Sequence, residues 1–147
     1  MSSAIKAAIK TLLVNDVTFA ALIPEERIFA DKVELSRQGT AGAFDANGTI
    51  QRSLLIKQET TTPFGPHTNT GRLFIPLIFY DHESVGYASI EAASLRAYQL
   101  MHDKQQPFAG LKVFEMSRVD HMPDQEDSTI TNAITVIDRY LLIISIA

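Results

Sequence analysis

Two Asp-His pairs are the residues best suited to chemistry: Asp81-His82 and Asp120-His121. Each follows an apolar segment that reads as a strand, with Glu83 and Asp124 close by. If those strands run parallel, both pairs fall at one end of a sheet. Imidazole and carboxylate groups gathered there could hold a divalent metal. The spacing matches no ligand motif, and polar residues are ordinary at strand ends, so a solvated strand end is the better account of the pairs. Ser84 follows closely enough to raise a hydrolytic arrangement with His82 and Asp81. A triad, however, is assembled in space around a positioned nucleophile, not from contiguous residues. The chain has no GxSxG, no HExxH and no phosphate-cradling glycine loop. It also has no cysteine, which removes thiolate nucleophiles, disulfides and Cys-ligated zinc together. No catalytic residue, cofactor or metal is assigned, and the residues point away from an enzyme.

The elements that would position these groups follow from periodicity. Residues 3 to 14 form an amphipathic helix with Ser3 as N-cap and Ile5, Ala8, Ile9, Leu12 and Leu13 on one face. Asp16 caps a short turn that Pro24 closes, and Arg27 to Phe29 form a short strand. Residues 31 to 50 are small and polar; Asn47-Gly48 suits a hairpin turn, and a mobile arm fits the same composition. Strands are expected over residues 53–59, 72–81, 111–120 and 133–146, with a long helix over 84–104. Two loops, 60–71 and 122–132, complete the pattern. The order defines one α+β domain. Its sheet is mixed and mostly antiparallel, with two helices on one face. The strands flanking helix 84–104 should be parallel through a right-handed crossover.

Composition narrows the class further. A chain of 147 residues suits one domain, and 46% apolar residues supply a core. A net charge of -4 argues against a duplex-binding surface, which is normally basic. Lys6 and Lys10 interrupt the first apolar stretch, so no secretory signal is expected. The run YLLIISIA, residues 140–147, is far below the ~20 residues of a membrane-spanning helix. A soluble protein made in the cytoplasm is the expectation.

Two strands are apolar on both faces. In LFIPLIFYDH, Leu73, Ile75, Leu77 and Phe79 oppose Phe74, Ile78 and Tyr80, and Pro76 interrupts the run. In the last strand, Leu142, Ile144 and Ile146 oppose Leu141 and Ile143. A mixed sheet usually keeps one wet face. Either the sheet curls over itself, or neighbouring copies of the chain cover the second face. The latter places Leu142, Ile144 and Ile146 at an interface, together with the chain end.

The order of elements also resembles a known family. A short helix leads to AALIPEERIF and a variable arm. Then comes QRSLLIKQETTTPFGPHTNTGRLFIPLIFYDHE, which is strand, Pro/Gly-rich loop, arginine and apolar strand. SVGYASIEAASLRAYQLMH and two closing strands follow. This arrangement resembles the tail terminator or tail-completion proteins (minor tail and neck proteins) of long-tailed bacteriophages. The resemblance implies a homo-hexameric ring in the virion that ends the tail tube and joins tail to head. Its partners would be the tail tube protein and a head-closure or connector protein, with no membrane. DNA would pass through a channel without specific binding. A head-closure or tube protein is the neighbouring alternative, and a small metal-dependent enzyme a more distant one. Arg72 matches the arginine after the family's loop. Loops 31–50 and 60–71 are expected to touch other subunits or the tube, with Phe64 as an anchor between Pro63 and Pro66. Asp124, Glu126 and Asp127 are expected either to face the channel or to form a solvated outer turn.

Overall fold

The computed structural model describes residues 2–59, 62–64, 67–104, 108 and 112–145, with backbone alone at 2–3, 62–64 and 67–70. Three helices, α1 (Ser2–Val14), α2 (Val17–Leu22) and α3 (Ala88–Met101), pack on one face of a six-stranded sheet. The strands are β1 (Ile28–Phe29), β2 (Ser53–Ile56), β3 (Thr62–Phe64), β4 (His67–His82), β5 (Val113–Asp127) and β6 (Ala133–Ser145). Their order is β1-β2-β4-β6-β5, with β3 also paired to β4. Among the described residues only β1 and β2 pair in parallel; the other pairs are antiparallel. This is the expected α+β fold with a mixed, mostly antiparallel sheet.

Residue alternation decides what lies beneath the helices. Leu73, Ile75, Leu77 and Phe79 of β4 meet Val136, Tyr140, Leu142 and Ile144 of β6 on the helix side. Ile5, Ile9 and Leu13 of α1, Phe19 of α2, and Ile90, Ala93, Ala97 and Met101 of α3 close over them. All of these side chains are fully buried. Burying each large aliphatic side chain stabilises the fold by about 1.5–3 kcal/mol, so the helix layer and sheet hold each other in place.

Asp16 fixes the helix layer. Its carboxylate accepts from the Phe19 backbone N–H at 2.8 Å, capping α2. It also takes a two-pronged grip from Arg96 of α3, at 2.8 and 2.6 Å. Chiefly through the hydrogen bond from Arg96, the Asp16 pKa falls from 3.8 to about 2. A carboxyl group with a lowered folded-state pKa contributes stability that is complete above its unfolded value and is lost as pH falls through the folded one. Asp16→Asn should therefore flatten the pH dependence of stability between 3.8 and about 2. Urea melts across that window test this; an unchanged slope would refute it.

The segment 31–50, expected as a hairpin or an arm, has a defined place on the sheet. It folds onto the outer face of the sheet, away from the helices. Leu35, Ala43 and Ile50 pack there against Leu55, Tyr80 and Ala133, with Phe29, Phe44, Ile78 and Ile130 around them. A turn at Asp45–Gly48 anchors it: the Gly48 N–H reaches the Asp45 carbonyl at 2.9 Å, and the Asp45 side chain accepts from Asn47 and Thr49. Gly48 has φ +75°, a region glycine enters without steric cost. One end of the two-faced sheet is thus covered by the chain itself.

Pro76 sits in a central strand, where prolines are rare. Its carbonyl accepts from Lys57 N–H at 3.0 Å, so its missing donor also points toward Lys57. The β2–β4 ladder ends one pair earlier, at Ile56–Leu77. The proline therefore removes a single rung where β2 gives way to the segment leading into β3.

Two expected boundaries and one adjacency are corrected. The Thr/Pro/Gly-rich stretch contains β3 and the start of β4, so it is largely a hairpin and not a loop. The stretch after Asp120 continues β5 to Asp127, and only residues 128–132 turn. Finally, β4 and β5 do share a direction, but β6 lies between them.

Candidate functional site

The Asp-His pairs do not converge. Asp81 is buried and receives Arg52 Nε at 3.0 Å, while Arg52 Nη1 donates to the Leu22 carbonyl at 3.0 Å. This carboxylate ties the β2 entrance to the end of α2. His82 turns to the other side of the strand. Its Nδ1 lies 2.7 Å from Ser84 Oγ and accepts the Ser84 backbone N–H at 3.1 Å. In a hydrolytic triad the carboxylate would hold that nitrogen. Here serine occupies it and Asp81 faces an arginine, so no triad forms.

Strand alternation separates the second pair. His121 points to the helix side, where Nδ1 meets Asp138 Oδ1 at 2.5 Å. Asp120 points outward and accepts from Arg139 Nη1 at 3.3 Å. The level of Asp120 on β6 is Arg139, whereas the level of Asp81 is Ile134. The two pairs are therefore offset along the sheet as well as split between its faces. Among the described residues, no three His, Asp or Glu side chains are placed to hold a metal.

The most constrained polar group is one that sequence reasoning overlooked. Asp138 is 0% exposed beneath α3. Its carboxylate accepts from Ser94 Oγ and contacts His121, with Arg118 Nη1 at 3.7 Å. The Arg118 guanidinium lies 4.2 Å over the Tyr98 ring, which stacks on His102 at 4.4 Å. His102 Nδ1 in turn accepts the Arg118 backbone N–H at 3.0 Å. Neighbouring Tyr140 is buried, which pushes its phenol pKa up. The cluster locks α3 to β5 and β6. Its order, with the carboxylate between serine and histidine, leaves no imidazole on the serine to act as base.

The other face of the same strands is the candidate assembly surface. Beyond the cover of segment 31–50, Phe74, Ile137, Leu141 and Ile143 are half-buried and belong to neither buried cluster. Across their middle runs a charge-paired bar. Arg139 donates to both Glu59 oxygens, at 3.1 and 3.0 Å, and to Asp120. Its guanidinium lies 3.7 Å over the Phe74 ring. The pairing raises the Arg139 pKa, first through the hydrogen bond it donates to Glu59, and keeps the cation in place on the apolar surface.

The expected contact residues are distributed unevenly. Leu142 and Ile144 are fully buried under the helices, so they belong to the chain's own core, and the exposed face is presented by their neighbours Leu141 and Ile143. Arg72 is exposed and pairs in register with Ile143. Pro63 and Phe64 lie in β3, described by backbone only; Pro66 and Ile146 lie outside the described residues. Asp124 and Glu126 are exposed on β5 and not in a loop, with Asp124 at a bulge with φ +56°. Asp127 bonds the Thr129 backbone and hydroxyl and lies against the Tyr80 hydroxyl.

No protein-family model matches the chain, and no curated protein matches it in sequence. Its fold does have a solved counterpart, a chain of the "virion of native gene transfer agent (GTA) particle". The two superpose with a TM-score of 0.71 at 11% identity, covering 95% of this chain and 93% of that one.

Proposed function

We propose that this protein is a structural component of a phage-like virion, with no catalytic role. The observation that carries this is the end-to-end fold likeness to a chain of a gene transfer agent virion. The half-covered apolar sheet face supports it, because such a surface calls for a partner. Within that class, the protein acts as a tail terminator: a homo-hexameric ring that caps the tail tube and joins it to a head-closure or connector protein. The β3–β4 hairpin, with Pro63, Phe64 and Pro66, reaches neighbouring subunits or the tube. DNA passes through the ring, and the chain's net charge of -4 suits a lining that does not hold phosphate.

Electron microscopy of the purified protein tests this reading. Closed particles with six-fold symmetry are the expected result. Tubes that lengthen without limit would assign the protein to the tube instead. A monomer at high concentration that is also absent from any particle would overturn the proposal.

A further inference from the structure

Among the described residues nothing packs over the open half of the sheet face, and the molecule carries a surface suited to cover it. The outer side of α3 presents Ala88, Ala92 and Leu95 to solvent, with Leu95 55% exposed. Val17, at the start of α2, is 84% exposed. The protein is a two-layer structure with an apolar surface on the outside of each layer. Two different patches on opposite sides of one protomer define a heterologous contact, the kind that closes into a ring or extends as a filament.

Charge supports the match. Arg96 of α3 is consumed by Asp16, which leaves Glu91 as the remaining charge on that helix. The open sheet face carries Lys57 and Arg72 on its β2–β4 side and Glu115 on its β5 rim. The acidic end of the helix is complementary to the first of these sides, which orients it. The one charge at the centre of the face, Arg139, is already bonded to Glu59 and Asp120. The centre of the face can therefore be dehydrated with its arginine already paired, the condition under which burying charge is tolerated.

The free edge of β5 is a weaker candidate for the same role. Three register shifts and Pro123 interrupt it, and these are devices that discourage edge pairing. A stable contact also needs about 1,000 Å² or more of buried surface, which favours a broad face over an edge.

We propose that the open sheet face of one copy, around Phe74, Leu141 and Ile143, docks on the outer side of α2 and α3 of a second copy, around Val17 and Leu95. The inference rests on the ring reading above and names the contact that builds the ring.

The natural absence of cysteine makes a clean test available. Full-length Leu95→Cys and Leu141→Cys proteins are mixed and oxidised, with Ala92→Cys and Ile143→Cys as a second pair should one variant fold poorly. The expected product is a disulfide-linked heterodimer from each mixture and little product from any single variant alone. The double variant Leu95→Cys/Leu141→Cys should link into a ladder ending at the size of the closed ring. Rings that form normally without either cross-link would overturn this contact and leave the ring reading intact. Efficient self-linking of Leu141→Cys alone would overturn it in favour of face-to-face packing. Heterologous cross-links that build open-ended ladders would uphold the contact and remove the terminator ring. A chain that stays monomeric and unlinked at all concentrations would overturn both.

Discussion

Asp138→Ala should destabilise the protein by about 3–5 kcal/mol, the loss expected when one partner of a buried ionic cluster is removed. The physical basis is asymmetry. Asp138 is fully buried, and its removal leaves buried Ser94 without its acceptor and takes the counter-charge from the partly exposed Arg118 and His121. Against a typical total of 5–15 kcal/mol, this is a large fraction. Asp138→Asn keeps the shape and part of the hydrogen bonding, so it should cost less, about 1–3 kcal/mol. Asp138→Leu exchanges charge for apolar volume but leaves the same cation behind, so it should resemble alanine. Urea denaturation of the three variants measures the series. A loss below about 1 kcal/mol for Asp138→Ala would show that water reaches the site and that the cluster does not lock α3 to the sheet.

This cluster also shows where the sequence was readable and where it was not. Parity along VIDRYLLII places Asp138 on the same side as Val136, Tyr140 and Leu142. A single acid on the buried side of a strand requires partners, and that signal was present. Its partners come from α3 and β5, distant in sequence, and only the packing assembles them. Elsewhere local pattern was enough. The helices, the Asp16 cap and the two opposed faces of β4 and β6 follow from spacing alone. Local pattern failed where long-range pairing overrode propensity. Residues 121–127, acidic and containing a proline, have the composition of a loop, yet β6 holds most of them in register to Asp127. The Asp-His pairs failed for a related reason: adjacent strand residues face opposite sides, so neighbours in sequence became strangers in space.

Substitutions at adjacent positions of β6 should have opposite consequences. Leu142→Ala removes a fully buried side chain from the core under the helices. It should lower stability by about 2–5 kcal/mol, the range for emptying such a site. If the chain still folds at low temperature, its assembly should persist, because the outer face is unchanged. Leu141→Lys together with Ile143→Lys should do the reverse. Both side chains are half-buried on the open face and touch neither buried cluster, so folding should be nearly unaffected. Placed at a contact between copies, however, two ammonium groups would be dehydrated without partners, and Arg139, Lys57 and Arg72 already stand on that face. Unpaired buried charge costs several kcal/mol per ion, more than a contact between small protomers withstands. Assembly should be lost altogether. Thermal melts and sizing of the same samples separate the two outcomes. Intact assembly of the double lysine variant would show that this face is not where copies meet. Unfolding of that variant would instead show that the half-buried residues serve the chain's own core.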